Sequence, residues 1–91
     1  MYKIKTSNTF EKDFMRCIKR KYNIEYFEVV INILEKTGKL PPKYKPHKLS
    51  GKFKDFWECH VKADWLVIWR QNDNTREIEL VRTGTHADLF K

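Results

Sequence analysis

The sequence has few cysteines and no long hydrophobic run. Cys17 and Cys59 are its two cysteines, each without a second cysteine nearby, which excludes a disulfide scaffold or a zinc ribbon and favours two reduced thiols. The longest uninterrupted apolar run covers five residues, 65–69, whereas a membrane-spanning helix needs about 20. The first residues alternate charged and apolar side chains, unlike a signal peptide. We therefore expect a cytoplasmic protein with no membrane partner.

Acidic residues are also scarce relative to basic ones. The chain has 19 lysines and arginines against 12 aspartates and glutamates, a formal net charge of +7. A hydrophobic share of 41% with 14% aromatic residues argues against disorder, although 34% of the residues are charged. The length of 91 residues predicts a single domain, residues 1–91. The positive charge favours a polyanionic partner, either a nucleic acid or an acidic protein.

The hydrophobic pattern predicts an α+β fold with the element order β-α-α-β-β-β. Asn8 is the expected N-cap of the first helix because Glu11 follows three residues later, and Gly38 is placed to end the second helix. Two tight turns near the C-terminus predict an antiparallel meander, with the helix pair on one face of a small antiparallel sheet. The expected segments are a strand at 2–5, helices at 8–20 and 24–36, an irregular lysine-rich stretch at 40–54, strands at 56–62, 65–71 and 76–83, and a helical turn at 85–90.

Three histidines, His47, His60 and His86, stand near predicted element boundaries, and Asp64 follows His60 across a turn. A meander brings strand ends together, so their convergence is plausible on topology alone. Beside basic residues, such a cluster suits metal-free RNA cleavage, which needs a base for the 2′-hydroxyl proton and an acid for the departing 5′-oxygen. Zinc binding is the weaker alternative, because the histidine spacings match no local ligand motif. We therefore expect no metal and no cofactor.

Arg82 has the strand parity of the apparent core positions Ile78 and Leu80, which would bury its guanidinium. Either the strand bends before Arg82, or a partner such as Asp64 holds it. Gly84, two residues later, favours the bend. Phe90 is a large apolar residue near the chain end, and such a ring can stack on a nucleobase.

These segments resemble the YafQ-type toxins of the RelE superfamily. The motifs are HKLSG at 47–51, HVKADW at 60–65 and RTGTH at 82–86, followed by Leu89-Phe90. The resemblance covers nearly the whole chain, and the three motifs in this order are more specific than any one alone. It implies a RelE-like fold and the activity of a bacterial toxin that cleaves mRNA in the ribosomal A site, in YafQ relatives with a preference for lysine codons.

The resemblance also implies roles for individual residues. His47, His60, Asp64 and His86 match the catalytic cluster of the family, with His86 as the group that protonates the leaving oxygen. Arg82 matches the phosphate-contacting arginine and Phe90 the C-terminal aromatic near the substrate. The general base remains open among His47, His60 and Asp64. We assign Lys48 and Lys52, in the lysine-rich stretch, to the phosphate backbone.

The expected partners are the ribosome, its mRNA and an acidic, partly disordered antitoxin, with operator DNA contacted only through the antitoxin complex. The competing hypothesis is a non-catalytic nucleic-acid-binding protein of the same fold. That hypothesis predicts that each histidine can be replaced singly without functional cost.

Overall fold

The computed structural model describes residues 1–90 and confirms the predicted α+β class. Its helices and strands follow the expected order, with one additional short strand before the meander. Two short 3-10 turns, Pro42–Tyr44 and Gly51–Phe53, interrupt the lysine-rich stretch. The elements are β1 (Lys3–Thr6), α1 (Asn8–Lys19), α2 (Ile24–Thr37), β2 (His47–Lys48), β3 (Trp57–Lys62), β4 (Trp65–Asn72), β5 (Glu77–Gly84) and α3 (His86–Leu89).

The helix ends follow from side-chain capping. Ser7 caps α1, because its hydroxyl accepts from the amide of Phe10; the prediction of Asn8 as the cap was wrong by one residue. Asn23 caps α2 in the same way, and Gly38 ends it in the left-handed conformation at φ 69°. Among residues 1–90, no helix combines the length and apolarity needed to cross a bilayer.

The sheet has the strand order β1-β5-β4-β3-β2. The meander β3-β4-β5 is antiparallel as predicted, but β1 pairs parallel to β5, which differs from the expected wholly antiparallel sheet. The long connection between β1 and β5 makes this possible, because parallel neighbours require a crossover rather than a tight turn. The second difference is β2, two residues within the stretch predicted to be irregular, which pairs antiparallel to β3.

Apolar side chains cover both faces of the sheet. The main core lies between α1, α2 and one sheet face, and Trp65 and Trp69 are buried in it. Ile18 of α1 is outside this core and is 41% exposed. Both cysteines are free and buried, and burial raises the pKa of the Cys59 thiol to about 12. A smaller cluster on the opposite face contains Leu66, Ile68 and Leu89, with Leu49, Phe56 and Val81 packed against it.

Candidate active site

The predicted catalytic residues and Arg82 gather at the sheet face opposite α1 and α2. His47 pairs with Glu58 across β2 and β3, Glu58 with Ile68, and Ile68 with Arg82 across β4 and β5. Directly paired residues point to the same side of a sheet, so these four side chains form one row. His60 lies two residues beyond Glu58 on the same face of β3. The meander therefore aligns residues that are distant in sequence.

His60, Asp64 and His86 form a contiguous group. The rings of His60 and His86 have centroids 5.9 Å apart. One oxygen of Asp64 lies 2.5 Å from Nδ1 of His86 and also accepts the His86 backbone amide at 3.2 Å. These two hydrogen bonds from His86, the side-chain bond foremost, lower the pKa of the Asp64 carboxyl. Asp64 is therefore an ionised partner for the His86 ring in neutral solution.

The short helix α3 fixes the position of His86. Thr85 caps this helix in a reciprocal capping box with Asp88, as expected for the predicted helical turn. Asp88 also binds the Arg20 guanidinium through two hydrogen bonds of 2.7 and 3.1 Å, which joins α3 to the end of α1. The Arg20 contact is the main cause that lowers the pKa of Asp88.

His47 stands apart from the His60 and His86 pair. Its Nδ1 lies 2.8 Å from the carbonyl oxygen of Lys45, and its Nε2 lies 3.2 Å from Oε1 of Glu58. Both ring nitrogens are therefore engaged by protein atoms. The predicted convergence is confirmed for His60 and His86, whose rings are adjacent. His47 lies on the same sheet face but is connected to this group only through its neighbour Glu58.

Glu58 was missed by the sequence analysis. It is a buried carboxylate, 4% exposed, and its Oε2 has no hydrogen-bond partner among residues 1–90. Native proteins rarely leave a buried oxygen unpaired, and such groups concentrate where function requires them. The available signal was its place in the strand alternation, on the same face as His60 and opposite Cys59.

A bulge in β5 places Arg82 on the same sheet face as Ile68. Leu80 pairs with Trp69 and Arg82 with Ile68, so Val81 is an extra residue without a partner. The predicted bend is therefore confirmed. The alternative partner, Asp64, was wrong, because Nε of Arg82 donates to the buried Asp13 of α1 at 2.6 Å. The Nη1 atom has no protein partner within residues 1–90, and this leaves one edge of the guanidinium for another anion.

Phe90 lies beside His86. Its ring centroid is 6.1 Å from that of His86 and 5.6 Å from that of Phe53, which it meets edge to face. Lys48 and Lys52 are exposed, on β2 and in the turn Gly51–Phe53 respectively. Lys48 pairs with Trp57, and its ammonium group lies 5.7 Å from the centre of the Trp57 ring. Because Trp57 packs against the main core, Lys48 is on the sheet face opposite the row of His47 and Glu58.

The side chains do not fit a metal centre. Within residues 1–90, no three His, Cys, Asp or Glu side chains are grouped so that they could hold a metal ion. His86 and Asp64 are in contact, but Nδ1 of His86 and one carboxylate oxygen of Asp64 bind each other. A catalytic zinc ion usually has three protein ligands.

Comparison with known proteins identifies the family. Residues 2–91 match the family model described as the bacterial toxin of the type II toxin–antitoxin system, YafQ. The mRNA interferase toxin YafQ of Escherichia coli K12 is 35% identical over 88 residues, which cover 96% of this chain and 94% of that protein.

Solved structures agree in fold. A metal-bound toxin from Helicobacter pylori has a TM-score of 0.89 at 38% identity, covering 99% of this chain and 100% of that one. YafQ in the E. coli DinJ–YafQ complex has a TM-score of 0.87 at 32% identity, with both chains covered completely. The resemblance predicted from the three motifs is confirmed: the chain belongs to the YafQ family of bacterial toxins from type II toxin–antitoxin systems.

Proposed function

We propose that this toxin is an endoribonuclease that cleaves mRNA on the ribosome, with His60 as general base and His86 as general acid. The observation that carries the proposal is the pair of imidazoles 5.9 Å apart, each held at Nδ1 by a different kind of acceptor. A carbonyl orients one ring and a carboxylate orients the other. The two rings are therefore suited to opposite directions of proton transfer.

His60 has the arrangement of a base. Its Nδ1 lies 3.1 Å from the carbonyl oxygen of Ala63. A carbonyl can only accept, so Nδ1 must carry the proton, and Nε2 of the neutral ring keeps a free lone pair. That lone pair takes the proton of the ribose 2′-hydroxyl as the 2′-oxygen attacks phosphorus. Of the three candidates predicted for the base, His60 has the hydrogen bonding that supports this role best.

His86 has the arrangement of an acid. The ionised Asp64 on its Nδ1 balances the charge of an imidazolium ring, as the aspartate of a Ser-His-Asp triad does. Nε2 of this ring then gives its proton to the 5′-oxygen as the P–O5′ bond breaks. The products are a 2′,3′-cyclic phosphate and a 5′-hydroxyl, and the protons lost by one ring and gained by the other balance.

Arg82 and Phe90 complete the substrate contacts. The strand register places Arg82 on the same sheet face as His60, so that its Nη1 group, which Asp13 does not bind, can stabilise the negative charge of the phosphorane. Asp13 holds the rest of the guanidinium and so fixes its direction. Phe90 is 41% exposed beside His86, where a nucleobase on the leaving side of the phosphate can stack on it.

His47 and Glu58 act together in this proposal. Glu58 occupies Nε2 of His47, so that this ring is held in a fixed direction rather than left free to accept a proton from substrate. We assign Glu58 to positioning His47, and we assign His47 to shaping the substrate site with its ring rather than to proton transfer. No step of this proposal uses a metal ion.

The net charge of +7 supports the proposed partners. Exposed lysines, including Lys48 and Lys52, attract the phosphates of mRNA and rRNA without reading sequence. An acidic antitoxin would neutralise the same charge, and a relative, YafQ of E. coli, is found in a toxin–antitoxin complex with DinJ. We propose an equivalent antitoxin for this chain, through which alone it would contact operator DNA.

The test is inducible expression in a bacterium, with primer extension on translated mRNA. Wild-type protein should give discrete cuts, whereas His86→Ala and His60→Ala should each slow cleavage by about 10²- to 10⁴-fold. Lys12→Gln, an exposed change on α1, is the matched control and should cleave normally. Binding of antitoxin by each variant shows that it remains folded. Undiminished cleavage by either histidine variant would refute its role, and RNA binding without cuts would support the non-catalytic alternative.

A further inference from the structure

A basic cavity lies beside His60, at the edge of the sheet. Strand β2 pairs with β3 only at Trp57 and Glu58, so the stretch of β3 that begins at Cys59 extends past the end of β2. The cavity has a volume of about 350 Å³. Its walls are Lys43–Lys45 on one side, His60–Ala63 on the other, and Tyr26 of α2.

The chemistry of the walls is that of a nucleotide site. Three lysines, Lys43, Lys45 and Lys62, line the cavity, and none of its lining residues is acidic. The ammonium of Lys62 lies 4.6 Å from the centre of the Tyr26 ring, and that of Lys43 lies 5.1 Å from the Tyr44 ring. Aromatic rings combined with cations are the usual means of holding single-stranded nucleic acid.

A larger cavity elsewhere in the protein differs from this one in charge and is unsuitable for a nucleotide. It has a volume of about 760 Å³ and lies beside the turn between β4 and β5. Four carboxylates line it, those of Asp55, Asp73, Glu77 and Glu79, against two cations, Lys5 and Arg70, which pair with Glu77 and Glu79. A polyanion would be repelled there, so charge and not size singles out the cavity next to His60.

The cavity shares its walls with the catalytic histidines. Lys45 and Ala63 both have left-handed backbones, with φ of 50° and 48°, and their carbonyls orient His47 and His60 respectively. Non-glycine residues hold this conformation at some cost, and such strain concentrates at functional sites. The same backbone segments thus form the cavity and direct the imidazoles.

We propose that this cavity binds the mRNA nucleotide immediately 5′ of the scissile phosphate. The inference rests on the proposed function, because His60 must face the ribose whose 2′-hydroxyl it deprotonates. The base of that nucleotide stacks on Tyr26, which is 42% exposed, and its 5′-phosphate contacts Lys43 and Lys45. At about 350 Å³ the cavity admits one nucleoside unit, near the lower end of the roughly 300–1,000 Å³ range of small-ligand sites.

The first experiment maps the contact. Ribosomes are loaded with an mRNA that has 4-thiouridine immediately 5′ of the cleavage point. The same nucleotide carries a 2′-O-methyl group, which blocks cleavage. The ribosomes are then irradiated together with the intact wild-type toxin. We expect a crosslink to Tyr26 or to the segment Lys43–Lys45. A crosslink only to other parts of the protein, or none, overturns the proposal.

The second experiment separates binding from chemistry. With mRNA on programmed ribosomes, Tyr26→Leu should raise KM about fivefold to a hundredfold with kcat unchanged, and Tyr26→Phe should retain the wild-type KM. Lys43→Gln/Lys45→Gln should also raise KM. Its matched control is Lys12→Gln/Lys19→Gln, two exposed lysines of α1, with wild-type KM. A fall in kcat without a change in KM overturns the subsite.

Binding to ribosomes without mRNA shows whether the cavity contacts the substrate strand or rRNA. The Tyr26 and lysine variants should bind them with wild-type affinity, and an equal loss of affinity there would assign the cavity to rRNA and overturn the proposal. If the wild-type protein makes no cuts at all, the proposed function fails. If it cuts while the crosslink and the KM values exclude the cavity, the subsite alone fails.

Discussion

Replacement of Glu58 by leucine should stabilise the fold and impair cleavage. The unpaired Oε2 of Glu58 is fully buried, and an unsatisfied polar atom of this kind costs about 1–3 kcal/mol. Leucine removes this cost and replaces the buried carboxylate with apolar volume beside Ile68. The lost contact with His47, which is partly solvent-exposed, offsets part of the gain. We therefore expect a net stabilisation of about 1–2 kcal/mol, or about 4–16 °C in Tm.

The expected loss of activity has a different cause. Without Glu58, Nε2 of His47 has no protein partner to fix the ring, and a misplaced group of this kind slows catalysis by up to about 100-fold. Urea unfolding followed by tryptophan fluorescence measures stability, and primer extension measures cleavage. The control Glu28→Leu, at an exposed position of α2, should change the free energy of unfolding by less than about 0.5 kcal/mol. Destabilisation by Glu58→Leu, or stabilisation with full activity, would refute the reasoning.

Three further predictions concern the supports of the site. Asp88→Asn should destabilise the protein at pH 7, and the difference from wild type should shrink below about pH 4, because a carboxyl with a lowered pKa stabilises the fold only while it is ionised; a difference in Tm that does not change with pH would contradict this. Arg82→Lys should lower kcat by up to about 100-fold, since lysine cannot bind Asp13 and phosphate with one planar fork; wild-type single-turnover rates would argue against it. Gly38→Ala should cost more than about 2 kcal/mol in urea unfolding, because the added Cβ would lie 2.4 Å from the Tyr2 ring at a position with φ of 69°; an unchanged midpoint would disprove the clash.

Local patterns in the sequence predicted most of the fold. The turn after His60, the end of α2 at Gly38 and the helical turn at 85–90 each depend on neighbouring residues, and all three are confirmed. The parallel pairing of β1 with β5 was missed because it depends on contacts between residues more than 70 positions apart. The strand β2 was missed because its two exposed residues carry no alternation of their own and form a strand only through β3.

The site was predictable to a similar extent. The convergence of His60 and His86 follows from the meander, and the bend before Arg82 follows from a conflict of strand parity. The partner of Arg82 could not be found in this way, because Asp13 lies in α1 and is far from Arg82 in the sequence. Its signal was an acidic residue within the apolar stripe of α1, where a buried charge requires a partner.

The orienting acceptors of His47 and His60 are main-chain carbonyls, those of Lys45 and Ala63. Every amino acid carries such a carbonyl, so replacing the side chain at either position leaves the acceptor in place. The proton on Nδ1 of each ring is thus set by the path of the chain and tolerates sequence drift in the adjoining loops, although His47 also depends on Glu58 at its Nε2. Only changes that alter the loop path itself, such as an inserted residue or a proline, would disturb it.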